Sequence, residues 1–301
     1  MKARQRIQKG FSIAGFVVMA LALAGQSSTA AFASTLGSGK VPSQPNAVQY
    51  VVNNTNDSGA GSLREAINMA NAGPGKDSII FNIPGSGVKT ISPLSALPAI
   101  TDPVEIDGTT QPGYTGTPVI ELNGSSAGWP QAGLVVSAGN STIKGLVINR
   151  FNAPNIKLTT NGGNTLEGNF IGTNPAGTAS MMTVGTGILI DGTSSNVIGG
   201  TTNAARNLIS GNGANGIVFV ETISYGTRAN QVLGNYIGTD INGTAAISNT
   251  FNGVVMNNAH DNVVGSTAAG AGNLISGNGL NGVYIEMAIG ARVRGNYIGT
   301  D

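Results

Sequence analysis

A chain of 301 residues with no cysteine, 46 glycines and only 10% charged side chains is not held by disulfides and, being rich in Ile and Val, is not of the disordered class. Abundant Gly and Asn with many β-branched residues fit a turn-dense β protein. Four of the 15 basic residues fall within the first nine positions and all 14 acidic residues come later, so the rest of the chain is acidic by three, which argues against a nucleic-acid partner.

The N-terminus reads as a secretory signal peptide. Lys2, Arg4, Arg6 and Lys9 precede an apolar run, Phe11–Gly25, of 15 residues, too short for a comfortable membrane span. Ala31-Phe32-Ala33 then supplies a small-x-small cleavage site. Cleavage there leaves 268 residues with no further run long enough to cross a membrane. Residues 34–46, rich in Ser, Gly and Pro, form a flexible leader.

Residues 47–99 read as an N-terminal cap segment. Val48–Val52 alternates as a strand does. In the following NDSGAGSLREAINMANAGPG, Ser62 and Glu65 have capping-box spacing. Leu63, Ala66, Ile67 and Ala70 share one helix face, and Gly73-Pro74 ends the helix. A strand is predicted over Ser78–Ile83. This lone amphipathic helix is expected to cover the exposed end of a repeat structure. Pro84–Tyr114 reads as a transition in which Pro93, Pro98, Pro103 and Pro112 interrupt pairing, with short strands at Val104–Ile106 and Val119–Leu122.

From residue 100 onward the chain repeats. NLISGNGANGIVFV at Asn207–Val220 returns 66 residues later as NLISGNGLNGVYIE, and GNFIGT at Gly168 returns as GNYIGT at Gly234 and Gly295. Asn-x-apolar-x-Gly phrases begin at Asn164, Asn196 and Asn230, with a near copy at Asn262, Ala291 in the last copy and an earlier one suggested at Asn140. Units of about 30 residues with short strands and no helix are the coils of a parallel β-helix, an all-β solenoid. Asn suits such corners because it tolerates left-handed backbone and its amide can bond from coil to coil. Ile188, Ile190, Ile198, Leu208, Ile217, Val232 and Ile237 are expected to face inward, as are Val254, Met256, Val264, Leu274, Val283 and Ile298 one unit on. The final phrase, Gly295–Asp301, breaks off within a repeat, and the expectation is a chain truncated at its C-terminus.

GAGSLREAINMAN followed by DSIIFNIP resembles the N-terminal CSLREA-type segment of large bacterial exported proteins, with Gly61 where that motif's Cys would stand. ALPAITDPVEIDGTTQPGY and the NLISGNG and GNYIGTD phrases are similar to the β-helix repeats that follow it, so the likeness covers Tyr50 to Asp301. It implies a right-handed, pectin-lyase-like parallel β-helix in a secreted or cell-surface protein. It leaves activity open, since that fold hosts lyases, hydrolases and non-catalytic adhesins.

The sequence assigns no catalytic residue and no metal site. Aligning the repeats on Gly187, Gly216, Gly253 and Gly282 puts Asp191, Val220, Asn257 and Glu286 in one column. The two carboxylates stand three coils apart, on the order of 14 Å, too far for the roughly 5–9.5 Å of a glycosidase pair. Glu221 is one residue out of register with Asp191, and only a bend at the strand end would bring them together. Asp191, Glu221 and Glu286 are therefore candidates for ligand contact only. His260, the single histidine, reads as an exposed turn residue rather than an acid/base partner of Asp261. Asp240-Ile-Asn242-Gly243 resembles the start of a calcium loop, but no Glu stands at the twelfth position and Asn174-Pro-Ala-Gly177 lacks the charge, so a plain turn is preferred and no cofactor is required. Arg206 and Arg228 read as solvated loop charges. Tyr225, Tyr236, Tyr284, Tyr297 and Phe219 could make a sugar-binding track, though Phe170, Tyr236 and Tyr297 share one phrase and suggest a stacked structural row instead. Low charge and the absence of clustered ionisable groups favour a non-catalytic scaffold or adhesin that meets an extracellular glycan or surface partner. The alternative is a polysaccharide lyase or glycoside hydrolase.

Overall fold

The computed structural model describes residues 47–181, 184–222 and 226–299. The segments read as signal peptide and leader, Tyr225 and the last two residues lie outside them. The described chain winds through three all-parallel sheets in turn: sheet A of nine strands, from Gln49–Val52 to Arg292–Val293; sheet B of eight, from Lys89–Ile91 to Tyr297–Ile298; and sheet C of six, from Leu134–Val136 to Val283–Glu286. Each strand pairs with its equivalent one coil away, as in Ile188↔Ile217↔Val254↔Val283. This is a parallel β-helix. Among the described residues no helix is long and apolar enough to cross a membrane.

The one α-helix among the described residues, Leu63–Ala72 (α1), forms where its four apolar residues were predicted, and Leu63, Ala66, Ile67 and Ala70 join Val52, Ile79 and Phe81 in the core. Its cap departs from the simple box. Ser62 Oγ accepts the Glu65 N–H at 3.2 Å, but the Glu65 carboxylate accepts from Gly61 N at 2.7 Å, because Ser62 N is already bonded to the Gly59 carbonyl. Ser62→Ala should lower stability by about 1 kcal/mol as measured by urea unfolding; an unchanged midpoint would mean that the Glu65–Gly61 bond alone holds this end.

The proline-bearing transition pairs more fully than predicted. Lys89–Ile91 opens sheet B, and Val104–Asp107 bonds to coils on both sides. What is missing in the first coils is the sheet C strand, where only Ile100 bridges to Val136. Pro98 and Pro103 flank that place and cannot donate to a ladder.

Buried rows of asparagine join the coils. In one, Asn164, Asn196, Asn230 and Asn262 pass amide hydrogen bonds of 2.8–2.9 Å from Nδ2 to the next Oδ1. Each Oδ1 after the first also accepts the backbone N–H of the preceding asparagine at 2.9–3.0 Å. The earlier copy in this row is Ser141, whose N–H donates to Asn164 Oδ1, not Asn140. A second row runs through Asn169, Asn207, Asn235, Asn273 and Asn296. A third joins Asn155, Asn212, Asn249 and Asn278. A fourth, nearer solvent, joins Asn215, Asn252 and Asn281. The left-handed backbone expected of the first-row asparagines falls instead on the residue before each position: Asn140, Gly163, Ser195, Ala229, Asp261 and Gly290, with φ of 53–77°. Bend and amide bonding are thus divided between neighbours, leaving the ladder residue free to follow the strand.

Of the predicted inward residues, Ile188, Ile190, Ile198, Ile217, Val232, Ile237, Val254, Met256 and Val264 are in the core. Leu208 is buried but on the outer face of sheet B, in a row Val147, Phe170, Leu208, Tyr236, Leu274 and Tyr297; its neighbour Ile209 points inward. Leu274 belongs to that same outer row. Val283 is half-buried and Ile298 is exposed, both in the last described coil.

Candidate functional site

The sheet C column has the predicted register, with Asp191, Val220, Asn257 and Glu286 on successive coils. Asp191 is engaged within the fold. Its Oδ2 lies 3.7 Å from Lys157 Nζ, and its Oδ1 accepts from the Thr222 hydroxyl at 2.7 Å. Glu221 turns into its own loop, where Oε1 accepts the Gly226 N–H at 2.6 Å and the buried Oε2 has no partner. Glu286 is exposed, three coils from Asp191. The three predicted contact residues are therefore not gathered into one site.

His260 is half-buried rather than exposed. Its Nδ1 accepts the Ile289 N–H at 3.0 Å, tying its turn to the following coil. Asp240 holds a turn. Oδ1 accepts the Thr244 and Ala245 N–H groups at 2.8 and 3.1 Å, and Asn242 donates to Oδ2 at 3.1 Å. Asn174 makes the same two backbone contacts, with Thr178 and Ala179, without a charge. Burial works against the Asp240 carboxylate, but the donors from Ala245, Thr244 and Asn242 outweigh it and hold its pKa below the ordinary 3.8. The resulting stability is present above the unfolded pKa and is lost as pH falls through the lower folded one. Asp240→Asn should keep the fold at pH 7, as Asn174 does in its own turn, and flatten the acid limb of thermal midpoint against pH between 7 and 3. An unaltered acid limb would show that Asp240 carries none of it.

Among the described residues the aromatic track does not form. Phe219 is in the core, Tyr284 lies on sheet C, and Tyr236 and Tyr297 lie on sheet B. The stacked-row reading holds, with leucines alternating between Phe170, Tyr236 and Tyr297. Arg206 is not a solvated charge. Its guanidinium sits 4.2 Å from the centre of the Tyr236 ring, with Nε donating to the Gly234 carbonyl and Nη2 to Asn203 Oδ1.

Ionisable groups do cluster, on the outer face of sheet A, contrary to the sequence reading. Asp107, Lys144 and Glu167 occupy one row on three successive coils, and Glu105 stands two residues before Asp107 on the same face. Lys144 Nζ lies 2.6 Å from Glu105 and 3.1 Å from Asp107. Burial disfavours its charge, but these two partners prevail and raise its pKa above the ordinary lysine value. Asp107 also caps the short turn Gly108–Thr110, accepting the Thr109 N–H and hydroxyl. Tyr114 follows that turn, and burial, with the Asp107 charge, raises its phenol pKa. Glu167 makes no side-chain hydrogen bond or ion pair among the described residues. The strands VEID, TIK and TLE carry this alternation openly, but the Asn-x-apolar-x-Gly phrase is recognisable only from Asn164, which left the first two unaligned with the third.

A cleft of about 380 Å³ opens over this cluster, lined by Thr109, Tyr114, Lys144, Glu167, Thr202 and Ala204. It meets a smaller cleft of about 100 Å³ at Gly168 and Ala204, where Phe170, Leu208 and Tyr236 of sheet B take over together with Arg206 and Ile241. The chain matches no known protein-family profile and no curated protein. Its chemistry must therefore be argued from these residues.

Proposed function

We propose that this protein is a secreted or cell-surface β-helix scaffold, adhesin-like and non-catalytic, that meets extracellular glycans through its outer faces. Residues 1–33 act as the signal peptide, so the exported protein should begin at Ser34 on N-terminal sequencing. The observation that carries the reading is the state of the sheet C carboxylates: Asp191 is committed to Lys157 and Thr222, Glu221 to Gly226, and Glu286 stands alone. None is left facing a second carboxylate across a space for sugar. The fold is compatible with the reading and does not by itself choose it.

A second reading, a polysaccharide lyase or glycoside hydrolase, is favoured by one observation. Asp107 and Glu167 flank Lys144 two coils apart, about 9.6 Å at strand spacing, close to the roughly 6.5–9.5 Å of an inverting pair. Incubation with pectin, polygalacturonate, xylan, mannan and chitin separates the two. The scaffold reading expects neither new reducing ends nor unsaturated products. Turnover that disappears in Asp191→Asn, Glu221→Gln or Glu167→Gln would replace it with the enzyme reading.

A further inference from the structure

We propose that the joined clefts at the corner between sheets A and B bind a short neutral oligosaccharide. The inference rests on the glycan-contacting scaffold reading and assigns that contact to one place. Three features carry it.

The first is shape. The two clefts share Gly168 and Ala204 in their linings, so they adjoin at the corner. A groove of two adjoining clefts suits a chain ligand whose successive units lie on different faces. The turn Asn203–Ala205, capped by the Thr202 hydroxyl at 3.3 Å from Ala205 N, contributes to the lining of both.

The second is lining. Tyr114 in the larger cleft and Tyr236 in the smaller one are each half-buried and give aromatic surface at both ends, and such rings pack against the apolar faces of sugar rings while their edges stay wet. The guanidinium of Arg206 fixes Tyr236 from one side. Thr109 and Thr202 add hydroxyls.

The third is charge. Lys144 is already compensated by Glu105 and Asp107, and Arg206 spends donors on Gly234 and Asn203. Glu167 is left as a carboxylate with acceptor capacity and no donor. A carboxylate satisfied by two hydroxyl donors is a strong, directional contact. The same group repels a uronate. Three acidic and two basic side chains in and under the groove sum to one negative charge, which again favours neutral over acidic sugar.

The test is calorimetric titration of the full chain with cellohexaose, mannohexaose, xylohexaose and hexagalacturonate. At least one neutral hexasaccharide should bind, and hexagalacturonate should bind more weakly. Glu167→Gln breaks no internal bond and should weaken the neutral ligand about tenfold, the worth of one charge-assisted hydrogen bond. Ala204→Trp, at the waist of the groove, should abolish binding without moving the thermal midpoint. Retained affinity in both variants, or loss on Trp129→Ala, whose exposed ring lies outside the groove, would overturn this assignment and leave the scaffold reading standing. Tighter binding of hexagalacturonate would overturn the ligand class. Failure of all four sugars to bind would overturn both the site and the glycan contact.

Discussion

Replacing Asn235 with alanine should destabilise the protein by about 4 kcal/mol or more. Asn235 is fully buried and is the most heavily bonded member of its row. Its Oδ1 accepts the backbone N–H of Asn207 at 3.1 Å and the Asn207 amide at 2.9 Å. Its Nδ2 donates to the Ile198 carbonyl, the Leu233 carbonyl and Asn273 Oδ1 at 2.8–3.0 Å. Alanine removes all five bonds at once. An abandoned buried donor or acceptor costs roughly 1–3 kcal/mol, and the Asn207 N–H has no other acceptor. Asn281→Ala provides the comparison. It removes the same type of bond, to Asn252 at 2.9 Å, from an exposed position, and should cost less than about 1 kcal/mol because water takes over. Urea unfolding of both variants decides the matter: equal losses would mean that the rows are a by-product of coil stacking and not a cause of it.

Gly162→Ala is expected to be comparably damaging for a steric reason. A methyl group there would fall onto the backbone carbonyl of Ser194 in the next coil. That carbonyl is itself bonded to Gly163 N at 3.0 Å, and Gly162 O accepts from Asn140 N at 3.0 Å. The contact is backbone against backbone, so no side chain can turn aside. Coils must part locally, and overpacking of this kind costs about 3 kcal/mol. The expected outcome is a marked fall in the urea midpoint or failure to accumulate as folded protein. A loss under about 1 kcal/mol would mean that the corner yields more easily than its hydrogen bonds indicate.

Much of the fold was legible because a solenoid writes one local rule many times. The 66-residue recurrence and the Asn-x-apolar-x-Gly phrase located the coils, and the column through Asp191, Val220, Asn257 and Glu286 was placed in the correct register. The α1 face was readable from apolar spacing alone. What was not legible had two causes. Some of it is alternation within very short strands. Leu208 and Ile209 are both apolar, and in a two-residue strand nothing in the pattern says which faces inward. Some of it is division of labour between adjacent residues. Asn can serve either as a left-handed corner or as a ladder amide, and only the backbone angles show that Ala229 and Ser195 bend while Asn230 and Asn196 bond.

The groove was missed for a related reason. Glu105, Asp107, Lys144 and Glu167 are scattered over more than sixty positions, and the coils that stack them have lengths unlike the later repeats. Asp191, His260, Asp240 and Arg206 each complete a turn or a coil contact. In a chain with so few charges, the burden of joining coils falls on neutral amides, and Glu167 stands out as a carboxylate given no internal task.

Native-state hydrogen exchange tests the role of these amide rows most directly. The backbone N–H groups of Asn196, Asn207, Asn230 and Asn235 each donate to the side-chain oxygen of the asparagine one coil on, at 2.8–3.1 Å. If the rows hold the β-helix together, these four should open only with global unfolding and share the slowest rates of the core strands. Exchange as fast as that of Ala205 and Arg206, at the half-buried end of the short turn beside them, would contradict it.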